Sequence, residues 1–146
     1  MNYLDTYLPI DDHFEVAEPK SPYKQRDSNV EFAAKMRQRT KAAAIAIVNL
    51  MGKQKETPVL RVISFQLLKS ATSAAANYRA ACRARSTNEF YAKMSIVVEE
   101  TDETLFWLEM LHDSEIPIDK AAVTLLGKEW QEILMIMAKS RSNVKK

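Results

Sequence analysis

Apolar side chains recur along most of this chain at intervals of three and four, the spacing that lines one face of an α-helix. The first such row is Phe32, Met36, Ala43, Ile47 and Leu50, with Thr40 completing it. Ser28 and Glu31 stand before it as an S-x-x-E pair, in which each side chain can satisfy a free backbone N–H at a helix start. A first helix is therefore predicted to begin at Ser28, and Gly52 is its predicted stop. The second row is Leu60, Ile63, Leu67, Ala71, Ala74, Tyr78 and Cys82. Thr57-Pro58 precedes it: threonine is a good N-cap, and proline suits the first helical position because its missing N–H would have been unpaired there anyway.

The third row runs Phe90, Met94, Val97, Thr101, Leu105, Leu108 and Leu111 behind another S-x-x-E pair, Ser86 and Glu89. It should end before Pro117, since the residue preceding a proline avoids helical geometry. Asp119 caps a fourth row of Leu126, Trp130, Ile133 and Met137, which frays into the basic tail Ser140 to Lys146. Three short connections make neighbouring helices antiparallel. The expected fold is all-α: an up-down-up-down antiparallel four-helix bundle over residues 29–140, with a basic tail at 141–146. Residues 1–28 hold Pro9, Pro19, Pro22, several acids and scattered aromatics with no helical period. An extended or partly disordered arm is expected there. An open helical array is the alternative to the bundle.

Composition narrows the class without naming a function. The chain has two glycines and five prolines, too few turn markers for a sheet protein, and 47% hydrophobic residues, enough for one continuous core. A net charge of +2 is not that of a protein that coats nucleic acid indiscriminately. The single cysteine, Cys82, forbids an intrachain disulfide and fits a reducing compartment. The first residues lack the basic-then-apolar order of a signal peptide, and the apolar run Ala42 to Met51 is shorter than the roughly 20 residues a bilayer needs. A soluble, cytoplasmic protein with no membrane partner is expected.

The second helix is unusual in being built from Ala, Ser and Thr over residues 70–76. Side chains this small let helix axes approach closely, so that many backbone contacts replace bulky burial. Gln66, Ser70, Ser73 and Asn77 add a polar stripe beside the apolar one. Enclosed groups of this kind need partners, because an unpaired one costs about 1–3 kcal/mol. An enclosed asparagine can also fix register and subunit number, so these four residues are candidates for packing or assembly.

The run Ser70-Ala71-Thr72-Ser73, Ala76-Asn77, Arg83-Ala84-Arg85-Ser86 and Glu89-Phe90 resembles the core motif of the small four-helix-bundle proteins encoded in 23S rRNA intervening sequences. These are sometimes mislabelled as ribosomal proteins. Glu99-Glu100-Thr101-Asp102-Glu103 followed by Trp107-Leu108-Glu109 fits one branch of that group. The resemblance spans residues 29–140 and is most specific from Gln66 to Leu111. Members carry Ile-Ala-Glu-Gly after the asparagine, where this chain has Tyr78-Arg79-Ala80-Ala81, and most start close to the first helix. The resemblance implies a homopentamer with no known enzymatic activity; no cofactor is expected. The accessory proteins of diversity-generating retroelements are similar in fold; they form basic pentameric barrels that bind a reverse transcriptase and nucleic acid. A reverse transcriptase or another protein is thus one partner the resemblance suggests.

Charge placement adds a reading independent of the family. In the expected topology three basic segments share one end: Lys35, Arg37, Arg39 and Lys41; Arg79, Arg83 and Arg85; Lys139, Arg141, Lys145 and Lys146. A ring of subunits would multiply that patch, and Lys and Arg contacts to phosphate dominate non-specific affinity for nucleic acid, so an RNA or DNA backbone is a candidate partner. The plainer alternatives are a solvated face and cations complementing the helix macrodipole. Arg79 and Arg83 could instead pair with acids of a neighbouring subunit. Glu99 and Glu103, in the acid-rich stretch of the third helix, are the candidates.

Catalytic readings find little support. Glu109 and His112 form one E-x-x-H sequence, but a di-metal bundle needs two, and the fourth helix has no histidine. Cys82 lacks a histidine partner, and no glycine-rich phosphate loop exists. The expectation is a non-enzymatic homo-oligomer acting as a scaffold or nucleic-acid accessory. A partner protein of a mobile element or phage, or a metal-dependent enzyme, is the alternative. The arm could dock a partner, clasp a neighbouring subunit, or be disordered.

Overall fold

In the computed structural model, described for residues 24–144, the chain forms α1 (Lys24–Gly52), α2 (Pro58–Ala81), α3 (Thr87–Asp113) and α4 (Lys120–Ser142). Each helix packs against its neighbours in sequence, and α1 meets α4 more sparsely to close the four. The result is the up-down-up-down antiparallel bundle. Residues 1–23 of the expected arm, and Lys145 and Lys146 of the tail, lie outside the described residues. No helix among the described residues is long and apolar enough to cross a membrane.

Three helix starts follow their sequence signals. Thr57 Oγ1 accepts the Leu60 N–H at 3.1 Å, with Pro58 opening α2. Ser86 Oγ accepts the Glu89 N–H at 3.1 Å, while Glu89 reaches back to the Arg85 N–H at 2.9 Å. Asp119 Oδ1 accepts the Ala122 N–H at 3.1 Å. Ser28 does not cap: α1 is already running at Lys24, so Ser28 lies inside it. Glu31 instead pairs with Lys35 at 2.8 Å, one turn on. Gly52 does end α1, yet no described glycine takes a positive φ. The Gln54 side-chain amide satisfies the Leu50 carbonyl at 2.7 Å in its place. At the other end of the chain, α4 continues through Arg141 and Ser142, so the helix takes in the start of the expected tail.

The apolar rows meet in one core. Ile47, Leu67, Met94, Leu108, Leu111, Trp130, Ile133 and Met137 are fully enclosed. Of the predicted core residues, Cys82, Phe90 and Leu105 are half-buried, and Phe32 is left in solvent, 45% exposed. It belongs to the first turns of α1, where few neighbours cover the helix. Small residues fill the closest approaches on α1 as well as α2: Ala43 and Ala46 are as enclosed as Ala71 and Ala74. Thr40 and Thr101 sit in the core with their hydroxyls donating to the carbonyls of Met36 and Val97, one turn back.

Candidate functional site

The polar stripe on α2 faces α3, and only one of its members is sealed between the helices. Ser70 is 1% exposed, and its Oγ donates to the Leu67 carbonyl at 3.1 Å. Thr104 Oγ1 lies 3.0 Å from Ser70 Oγ and 2.8 Å from the Glu100 carbonyl. This hydroxyl pair is a direct polar link between α2 and α3, and it requires that two small side chains sit where the axes are close. Gln66, Ser73 and Asn77 are half-buried rather than enclosed. Asn77 Nδ2 donates to the Ser73 carbonyl at 2.9 Å and to Ser73 Oγ at 3.1 Å, so within one chain it bonds its own helix.

The acidic stretch of α3 borders that stripe. Burial, and then the nearby Glu103, push the Glu100 carboxyl above its ordinary range, while Lys69 and the Ser73 hydroxyl partly offset them. A carboxylate whose native pKa is raised binds its proton more readily folded than unfolded. Ionised Glu100 therefore opposes folding, and the penalty fades as pH falls through its native pKa into the acid range. Glu100→Gln should raise the melting temperature at pH 7, and the gain should shrink on acidification, as thermal melts across that range would show. Glu103 accepts from Trp107 Nε1 at 3.2 Å, and Glu99 is exposed.

The cations of α1 are not at a bundle end. Because α1 runs from Lys24, Lys41 lies roughly 25 Å along the axis from that residue at about 1.5 Å per residue. Lys35, Arg37 and Arg39 are likewise nearer the middle than the tip. Arg39 is committed elsewhere: its Nε and Nη2 bond both oxygens of Glu129 at 2.6 and 2.9 Å, and Nη2 also meets Glu132 at 3.0 Å. This forked pairing bridges the sparse α1–α4 seam. Arg39→Ala should lower stability by about 1–2 kcal/mol in urea melts, below the full value of a buried charged pair because the guanidinium is part-exposed. Arg39→Lys should recover only part of it, since an ammonium cannot make the fork. Glu129 and Glu132 escaped sequence reasoning, although they flank Trp130 and Ile133 as seam-edge acids do.

Arg83 and Arg85 of the α2–α3 turn and Lys139 and Arg141 of the last turns of α4 do share one end. Arg79, Arg83 and Arg85 are exposed, and the Arg85 side chain comes no closer than 4.0 Å to Glu89. The larger charge separation runs across the bundle. Helix α2 contains Arg61, Lys69 and Arg79 and no acid. Helix α3 contains seven acids against one lysine. One side of the molecule is positive and the adjoining side negative, a division by helix that an end-to-end picture does not capture.

The α3–α4 groove, about 640 Å³, is lined by Leu105, Phe106, Glu109, His112, Val123 and Lys128. His112 Nδ1 lies 2.8 Å from Asp113 Oδ1. No group of three or more His, Cys, Asp or Glu among the described residues could hold a metal ion. Cys82 is half-buried beside the enclosed Tyr78, whose hydroxyl is pushed up first by burial and then by Cys82.

No family model and no curated protein matches the chain. Among solved structures it is similar to a protein of unknown function from the S23 ribosomal protein family of Bacteroides thetaiotaomicron VPI-5482, solved at 1.70 Å. The two are 31% identical with a TM-score of 0.66, over 74% of this chain and 99% of that one.

Proposed function

The chain belongs to the S23 ribosomal protein family, and on that footing we propose that it is a non-enzymatic, homo-oligomeric helical scaffold, a pentamer of the kind encoded in 23S rRNA intervening sequences, that associates with nucleic-acid phosphate. The observation that carries this reading is the division of charge between α2 and α3, together with the cationic end made by Arg83, Arg85, Lys139 and Arg141. A face without acids and a neighbouring face rich in them favour contact between copies. Repetition around a ring sets several copies of the cationic end side by side, where each phosphate contact adds to affinity and to its salt dependence.

Retention on heparin or RNA, followed as salt rises, tests the phosphate half of the reading. The native chain should bind at low salt and elute as salt increases. Arg83→Glu combined with Arg141→Glu should elute earlier. Passage of the native chain straight through at low salt would remove the claim.

A further inference from the structure

The outward side of α2 carries a repeat that the core does not use, although its Lys69 also acts on Glu100 of its own chain. Val62, Phe65, Lys69, Thr72, Ala76 and Arg79 follow one another at alternating intervals of three and four, and all six are exposed. That is the spacing of a coiled-coil seam, set on the solvent side of a helix whose other side already fills the core. Helix α3 has a matching outward row of Ala92, Ile96, Glu99, Glu103, Phe106 and Met110, exposed except for the half-buried Glu103. Bulky apolar side chains stand in water on both: Phe65 is 64% exposed, Val62 60%, Phe106 49% and Met110 42%.

The two rows are complementary when laid antiparallel. The Ser70–Thr104 bond fixes their axial levels within one chain. At equal rise per residue, Phe65 is level with about residue 109, Lys69 with about 105 and Arg79 with about 95. A rotation axis running along the bundle keeps every residue at its own level in the next copy. Val62 and Phe65 of one copy then face Phe106 and Met110 of the next, Lys69 faces Glu103, and Arg79 comes within side-chain reach of Glu99. Helix α2 has no acid, and α3 sets seven acids against the single Lys93, so opposite charges predominate along the seam.

We propose that a second copy of this chain lays its outward α3 row along the outward α2 row, in that register. The inference rests on the homo-oligomeric reading above and assigns its interface. Each chain offers one row and receives the other, so the contact repeats from copy to copy around an axis along the bundle and can close on itself.

The test uses the full chain and light-scattering mass over a range of concentrations, with circular dichroism to confirm an intact bundle. Lys69→Glu, Glu103→Lys and Phe65→Asp all change outward residues and should keep the fold. Each should raise the concentration needed for assembly on the order of tenfold or more. The double variant Lys69→Glu/Glu103→Lys should return close to the native value, because the pair is restored with its signs exchanged. A native particle of several copies that none of the three changes disturbs would overturn the face assignment and leave the oligomer standing. Weakened single variants without recovery in the double would overturn the register. A native chain that stays single at tens of micromolar would overturn the oligomeric reading itself.

Discussion

Trp130→Ala should lower the unfolding free energy by about 3–5 kcal/mol, the range for deleting a fully packed aromatic. Trp130 is the largest wholly enclosed side chain and stands on α4 within the core. Removing the indole leaves a void in the closed core, which the surrounding helices can fill only in part. Part of the loss is offset in an informative way. The Trp130 Nε1 atom is buried without a hydrogen-bond partner, and an unpaired N–H is itself unfavourable. Trp130→Phe keeps most of the volume and removes that N–H, so its cost should be under about 1.5 kcal/mol. Urea melts at one fixed protein concentration would separate the two variants. Equal losses would show that the ring volume at this site is not what holds the helix.

Ala71→Leu combined with Ala74→Leu should be the second large loss, about 3 kcal/mol or more, from overpacking at about 1–3 kcal/mol per site. Both alanines are at or below 1% exposure on the inner side of α2. They sit one to four residues from Ser70, whose hydroxyl contact with Thr104 requires α2 and α3 to lie close. A leucine at either position must push the axes apart or leave its preferred rotamer. Both outcomes break the hydroxyl pair. Ala121→Leu, exposed near the start of α4, is the matched control and should be nearly neutral. If the double variant melted like the control, close approach along α2 would not be the reason for its small side chains.

The local grammar of this chain was legible in its sequence, and its long-range geometry was not. Thr57, Ser86 and Asp119 announce helix starts because capping is a contact between residues three apart. Ser28 carries the same signal without acting on it, because α1 runs through it from Lys24. That shift of one turn moves Lys35 to Lys41 from an expected tip toward the waist of the bundle. The Arg39 fork to Glu129 and Glu132 depends on how α1 and α4 are rotated against each other, which no pattern within either helix specifies. Ser70 was visible as a polar residue on an inner stripe, but its partner Thr104 lay outside the predicted inner row of the third helix, which passes through Thr101 and Leu105. The outward repeat on α2 was present all along. It gains meaning only once the inward row is known to be fully occupied by the core.

The molar mass of the purified native chain in solution, by light scattering at low micromolar concentration, tests the central claim most directly. The account predicts a particle of five chains, closed by contact between positive and negative faces. A particle of one chain at every concentration examined would contradict it.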